Sequence, residues 1–155
     1  MLLSNPFVAD PRVDAEAKTL TAHGYRVTVI GWDRSGSHPT AEEKEGISIQ
    51  RIRIPATYGR GMRQIVPLLT FWWKLVGALR HVQADVIHCH DLDTLLPGWI
   101  AARRTGAKLV YDSHECYPAM YTSHGQNGWV PRLLQGLDTF LSRRVDLVIT
   151  VGEMR

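Results

Sequence analysis

The sequence predicts an α/β, Rossmann-like fold with a doubly wound parallel sheet of about six strands, and three observations predict it. Short apolar runs alternate with helix-periodic segments along the whole chain, and successive parallel strands need a crossover that a helix supplies. The runs "DVI", "KLV" and "DLVITV" are near-continuously hydrophobic, as strands covered on both faces are. At 155 residues and 45% hydrophobic content the chain is large enough to bury a core without staples, so residues 1–155 are expected to form one domain.

Taken in order, Leu2 to Ser4 is a short first strand that stops at the Pro-punctuated loop "NPFVADPR". Val13 to His23 has helical composition and ends at Gly24, a good cap residue. "YRVTVIGW" (25–32) alternates and is β-branched, which marks a strand; "DRSGSHPTAEEKEG" reads as a polar loop; "ISIQRIRI" (47–54) is the third strand. Pro55 to Gly61 breaks the pattern, and Met62 to Gln83 reads as a helix in which Pro67 either makes a kink or marks the true first turn. "ADVIHCH" (84–90) is a strand, Leu92 to Thr105 a helix stopped by Gly106, and "AKLVYDS" (107–113) the next strand. His114 to Val130 is irregular, Pro131 to Arg144 a helix, and "VDLVITV" (145–151) the last strand.

The 18 basic and 15 acidic residues, net +3 with pI near 9.1, are interspersed, so no arm or stripe suits a nucleic acid. A mildly anionic partner such as a phosphate or a lipid headgroup surface fits better. Cys89 and Cys116 form no CxxC pair, which reads as a reduced protein, and the amino terminus lacks a secretory pattern, so a cytoplasmic location is expected. The most apolar stretch, Ile65 to Leu79, is interrupted by Pro67 and Lys74 and is too short for a spanning helix. Its Phe71, Trp72 and Trp73, beside Arg60, Arg63, Lys74 and Arg80, suit either a core helix or one lying in a membrane interface. Arg103, Arg104, Arg143 and Arg144 fall near helix carboxyl ends and read as solvated structure.

Ligands of open α/β sheets bind outside the carboxyl ends of the strands. "ADVIHCHD" ends in His90 and Asp91, and "KLVYDSHE" in Asp112, His114 and Glu115. Acids beside imidazoles are costly to bury unless paired or used, so these tips are candidates for function, with a strand-end His bonded to a carbonyl as the plainer alternative. The loop after the first strand brings Asn5, Asp10 and Arg12 toward the same rim. His88 and His90 share a strand face, and a metal site must be weighed. "HCHDLD" has only a superficial likeness to the His-x-His-x-Asp-His run of the metallo-β-lactamase fold, because Leu92 and Asp93 stand where Asp and His are needed; no metal is expected. Neither G-x-G-x-x-G after the first strand nor G-x-x-x-x-G-K-[ST] is present, which disfavours a dinucleotide oxidoreductase and a P-loop enzyme.

With these residues in place the chain resembles the amino-terminal half of family 4 glycosyltransferases, retaining enzymes of GT-B architecture. "DPRVDAEAKTLTAHGYRVTVIGW", "ADVIHCHDLDTLLPGWIAARRTGAKLVYDSHE" and "VDLVITVGE" carry the resemblance in the right order. It implies a Rossmann-like domain on the acceptor side of a cleft, a nucleotide-sugar as donor substrate with no cofactor, and a glycan or lipid-linked acceptor. It also implies that His114 is the catalytic residue, positioning the donor sugar near the reacting carbon and stabilising charge there. Asn5, Asp10 and Arg12 would approach donor phosphate or acceptor, and His90 and Asp91 would line the acceptor side, with Glu115 grouped among the binding residues.

Three departures qualify this. The family's Gly-rich turn is replaced by "SNPFVADPR", and Met1 begins almost inside the first strand. The sequence stops at Arg155, before the family's donor domain and its Glu-x7-Glu motif; Glu42, Glu43 and Glu45 have the wrong spacing. The expectation is half an enzyme whose partner is a carboxy-terminal donor domain, with weak donor binding and no turnover alone, located in the cytoplasm and peripheral on the inner membrane face. The alternative is a non-catalytic module that binds a nucleotide or a lipid-linked phosphate.

Overall fold

The computed structural model describes residues 1–8, 10–57, 64–113 and 129–150. It divides into two compact units, Met1–Val82 and Gln83–Arg155.

In the first unit, helix α1 (Pro11–Ala22) starts where Asp10 accepts the Val13 N–H at 3.3 Å and Pro11 fills a position whose N–H needs no partner. Strands β1 (Thr28–Asp33) and β3 (Ile47–Arg53) pair in parallel, and β2 (Ala41–Lys44) pairs with β3 antiparallel, in the order β1-β3-β2. The core is Leu3, Phe7, Val13, Ala17, Val27, Val29, Ile47 and Ile49. Helix α2 (Ile65–Leu79) holds Pro67 within its first turn, where the missing N–H costs nothing, so Pro67 marks a start and not a kink.

Two expectations are corrected here. The stretch read as a polar loop contains β2, because Glu45 and Gly46 both take positive φ (52° and 77°) and close a tight two-residue hairpin onto β3. The first strand reduces to one parallel bridge, Leu2 to Ile30, although the Leu3 N–H still donates to the Ile30 carbonyl and the Asn5 carbonyl accepts the Trp32 N–H.

The aromatic segment is buried on one face and exposed on the other. Phe71, Leu75 and Leu79 are buried, and Trp32 stacks on Phe71 at 4.8 Å while its Nε1 donates to the Ile54 carbonyl at 2.9 Å. Ile65, Val66, Leu69 and Trp73 face outward, Trp73 being 77% exposed. No helix among the described residues is long and apolar enough to cross a membrane.

The second unit runs β4 (Val86–His90), α3 (Leu92–Thr105), β5 (Lys108–Ser113), α4 (Trp129–Ser142) and β6 (Leu147–Thr150). Its three strands are all parallel in the order β4-β5-β6, as continuous hydrophobic runs joined by helices require. Gly106 ends α3 in the left-handed region, φ 77°. Asp146 enters β6 by accepting the Leu109 N–H and the Lys108 ammonium, each at 2.9 Å.

Candidate functional site

Strands β4 and β5 are neighbours in register, with His90 opposite Asp112, so the two polar strand ends recognised in the sequence meet at one sheet edge. Side chains two apart on a strand share a face, which puts His88 and His90 together. Their rings stack at 4.3 Å, and the Asp112 carboxylate reaches both: Oδ2 lies 3.4 Å from His90 Nδ1 and 3.9 Å from His88 Nε2. Asp112 is 0% exposed and His90 3%. The Asp112 carbonyl accepts the Asp91 N–H at 2.9 Å, and the Thr94 hydroxyl donates to the His90 carbonyl at 2.7 Å, fixing the β4-to-α3 turn.

At that turn Asp91 takes φ 65° and ψ 165°, a region that is nearly Gly-only. An L residue persists there only where its surroundings hold it, and the hydrogen bond from its N–H to Asp112 is part of that hold. Between the two imidazoles in sequence, Cys89 points away; burial pushes its thiol up to about 12, so it stays protonated and is no nucleophile.

The structure therefore sharpens the reading of this strand end. His90 was expected to present an open tip and is instead buried against Asp112, while Asp91 is half-buried at the edge. Asp112, read in the sequence only as company for a later His, is the residue that joins the two tips. No spacing rule could have found this, because the pairing is set by strand register. His114 and Glu115 lie outside the described residues.

In the first unit Asn5 and Asp10 come together. Asn5 Nδ2 donates to Asp10 Oδ2 at 3.0 Å, and Asn5 Oδ1 accepts the Phe7 N–H at 2.8 Å. Both side chains thus build the loop and cap α1, which leaves Arg12, exposed in the first turn of α1, as the group of this loop with its charge in solvent. The loop is pressed onto β1: Asn5 O accepts the Trp32 N–H at 3.0 Å, and a Cβ on Gly31 would sit 2.6 Å from that same oxygen.

Two buried charges were missed. Arg51 donates to the carbonyls of Pro6 (2.6 Å) and Pro39 (3.0 Å) and to Glu42 (2.6 Å), tying the Asn5 loop to β2. Asp33, at the end of β1, accepts from the N–H groups of Ser35, Gly36 and His38 and from the Ser35 hydroxyl. Burial alone would raise its carboxyl, but these donors, His38 foremost, outweigh it and hold the carboxyl below its ordinary 3.8. A strand-end Asp followed by "RSGS" was the available signal.

The class defined by this architecture is a Rossmann-like α/β domain with polar strand ends, and solved structures share it. Sucrose-phosphate synthase from Thermosynechococcus elongatus superposes with a TM-score of 0.72 at 14% identity, covering 98% of this chain and 76% of that one. A second structure of that synthase gives a TM-score of 0.69 at 13% identity, covering 97% of this chain and 47% of that one.

The chain belongs to the glycosyl transferase 4-like domain family, whose model matches residues 9–154, and it is an amino-terminal domain of GT-B architecture. It is 25% identical over 149 residues to human chitobiosyldiphosphodolichol beta-mannosyltransferase, covering 91% of this chain and 32% of that protein. It is 31% identical over 100 residues to the UDP-N-acetylglucosamine--N-acetylmuramyl-(pentapeptide) pyrophosphoryl-undecaprenol N-acetylglucosamine transferase of Cupriavidus metallidurans, covering 62% of this chain and 28% of that protein. The chain thus spans about a third of the length of the curated relatives it matches.

Proposed function

We propose that this chain is the acceptor-side half of a glycosyltransferase that moves a sugar from a nucleotide-sugar donor to a glycan carried on a lipid diphosphate, at the cytoplasmic face of a membrane. The observation that carries the reading is the family match over residues 9–154, joined to relatives whose names specify diphosphodolichol or pyrophosphoryl-undecaprenol.

The outward face of α2 supports the membrane part. Val66, Leu69 and Trp73 follow helical spacing, Ile65 widens the stripe, Lys74 adjoins it, Arg80 lies one heptad beyond Trp73, and the helix contains no acid. Apolar and aromatic groups edged by cations suit an interface with anionic headgroups.

We assign acceptor contact to Asp91, the more accessible residue of its strand end, with His90 and Asp112 holding the Asp91 turn from behind; Arg12 keeps the role that the resemblance implies, toward donor phosphate or acceptor. His114 keeps the role that the resemblance implies, stabilising charge near the reacting carbon in a transfer with retention, and Glu115 stays beside it as a binding residue. The donor is a substrate and no cofactor enters. In this reading donor contacts belong mainly to a second domain, so the 155 residues alone bind donor weakly and do not turn over.

The test is partition of the purified protein onto anionic vesicles with and without a polyprenyl-diphosphate-linked saccharide. Binding strengthened by the linked saccharide supports the reading; equal partition onto both overturns it. Tight nucleotide binding with no dependence on sugar would favour the non-catalytic nucleotide or lipid-phosphate module instead.

A further inference from the structure

We propose that His88, His90 and Asp112 form a binding site for one zinc ion. The three side chains are gathered by secondary structure: two imidazoles from one face of β4 and one carboxylate from the residue paired with His90 on β5. Their ligand atoms lie within 4.8 Å of one another.

Bond lengths decide whether an ion fits. Zinc bonded to nitrogen and oxygen at about 2.0–2.2 Å in tetrahedral geometry sets neighbouring ligand atoms about 3.3–3.6 Å apart. Asp112 Oδ2 is 3.4 Å from His90 Nδ1 and 3.9 Å from His88 Nε2, so the first pair already has the spacing, the second must close by a few tenths of an ångström, and the two imidazole nitrogens, within 4.8 Å of each other, must close onto the same ion. Two imidazoles with one carboxylate is a donor set matched to zinc.

The sequence run "HCHDLD" fails as a metal motif because it looks for the acid on the same segment. The acid comes from the adjacent strand. Bound there, the ion would clip the carboxyl ends of β4 and β5 together beside the strained Asp91 turn. The proposed function gives such an ion no role, so this site goes beyond it and is tested without a transfer assay.

The purified, tag-free protein is stripped with a chelator, dialysed against zinc chloride at neutral pH, desalted and analysed for metal, then melted over a zinc series. Wild type should retain one zinc per chain and melt at a temperature that rises with zinc concentration. His88→Gln, which retains the buried His90–Asp112 pair, should retain none and show no such rise, and a folded Asp112→Asn should do the same. Cobalt substitution should give the visible bands of a tetrahedral ion in wild type alone. Substoichiometric zinc with an unmoved melting temperature in wild type overturns the proposal. Equal zinc in wild type and His88→Gln overturns it equally, as binding elsewhere on the surface.

Discussion

Asp112 sits opposite His90 in the parallel β4–β5 register, and its Oδ2 lies 3.4 Å from His90 Nδ1 in a fully buried setting. This contact turns two strand ends more than twenty residues apart into one polar unit, and the Asp112 carbonyl extends it to the backbone of Asp91. Removing one partner of a buried polar pair leaves the other without compensation. Asp112→Ala should therefore destabilise the protein by about 3 kcal/mol, read as a lowered urea midpoint, whereas a surface change such as Arg104→Ala should stay within about 0.5 kcal/mol.

Asp33 should make the first unit acid-sensitive. Its carboxyl is held below 3.8 in the folded protein, so its contribution is fully present above the unfolded value and is lost as pH falls through the lower folded value. Asp33→Asn should cost about 2 kcal/mol at pH 7, and the gap to wild type should shrink steadily below about pH 4. Urea melts between pH 7 and pH 3 measure both; a gap constant with pH would remove Asp33 as the cause.

Gly31 is where β1 receives the Asn5 loop. A methyl group there meets backbone, not a flexible side chain, at 2.6 Å, so the loop must move. Gly31→Ala should destabilise by about 1–3 kcal/mol and shift the amide resonances of Asn5, Phe7 and Trp32 together. Unchanged resonances would show that the strand absorbs the methyl group.

Trp73 makes the membrane claim separable from the fold. Because it is 77% exposed, Trp73→Ser should leave the melting temperature nearly unchanged while weakening partition onto anionic vesicles by about tenfold. Phe71→Ser, by contrast, should unfold the unit by stripping the stack on Trp32.

Much of the fold was legible in the sequence because hydrophobic period and caps carry it. Helix α3 runs from Leu92 to Thr105 as its period and Gly106 dictate, and "KLVYDS" is a buried strand as its composition dictates. The β2 hairpin was hidden because its four residues are all exposed and mostly charged, leaving only Glu45–Gly46 as a turn signal. The strand-end candidates His90 and Asp91 were visible from position alone. That Asp112 binds His90, or that Asn5 and Asp10 spend their side chains on each other, depends on register and loop path, which no local pattern encodes.

The central claim is that this domain holds a lipid-diphosphate-linked glycan through the β4–α3 edge. Calorimetric titration of the protein with a short-chain, water-soluble polyprenyl-diphosphate saccharide tests it most directly. The account predicts saturable binding that Asp91→Ala weakens about tenfold and that a free nucleotide-sugar does not match. Binding left unchanged by Asp91→Ala, or a nucleotide-sugar bound more tightly than the lipid-linked saccharide, would contradict it.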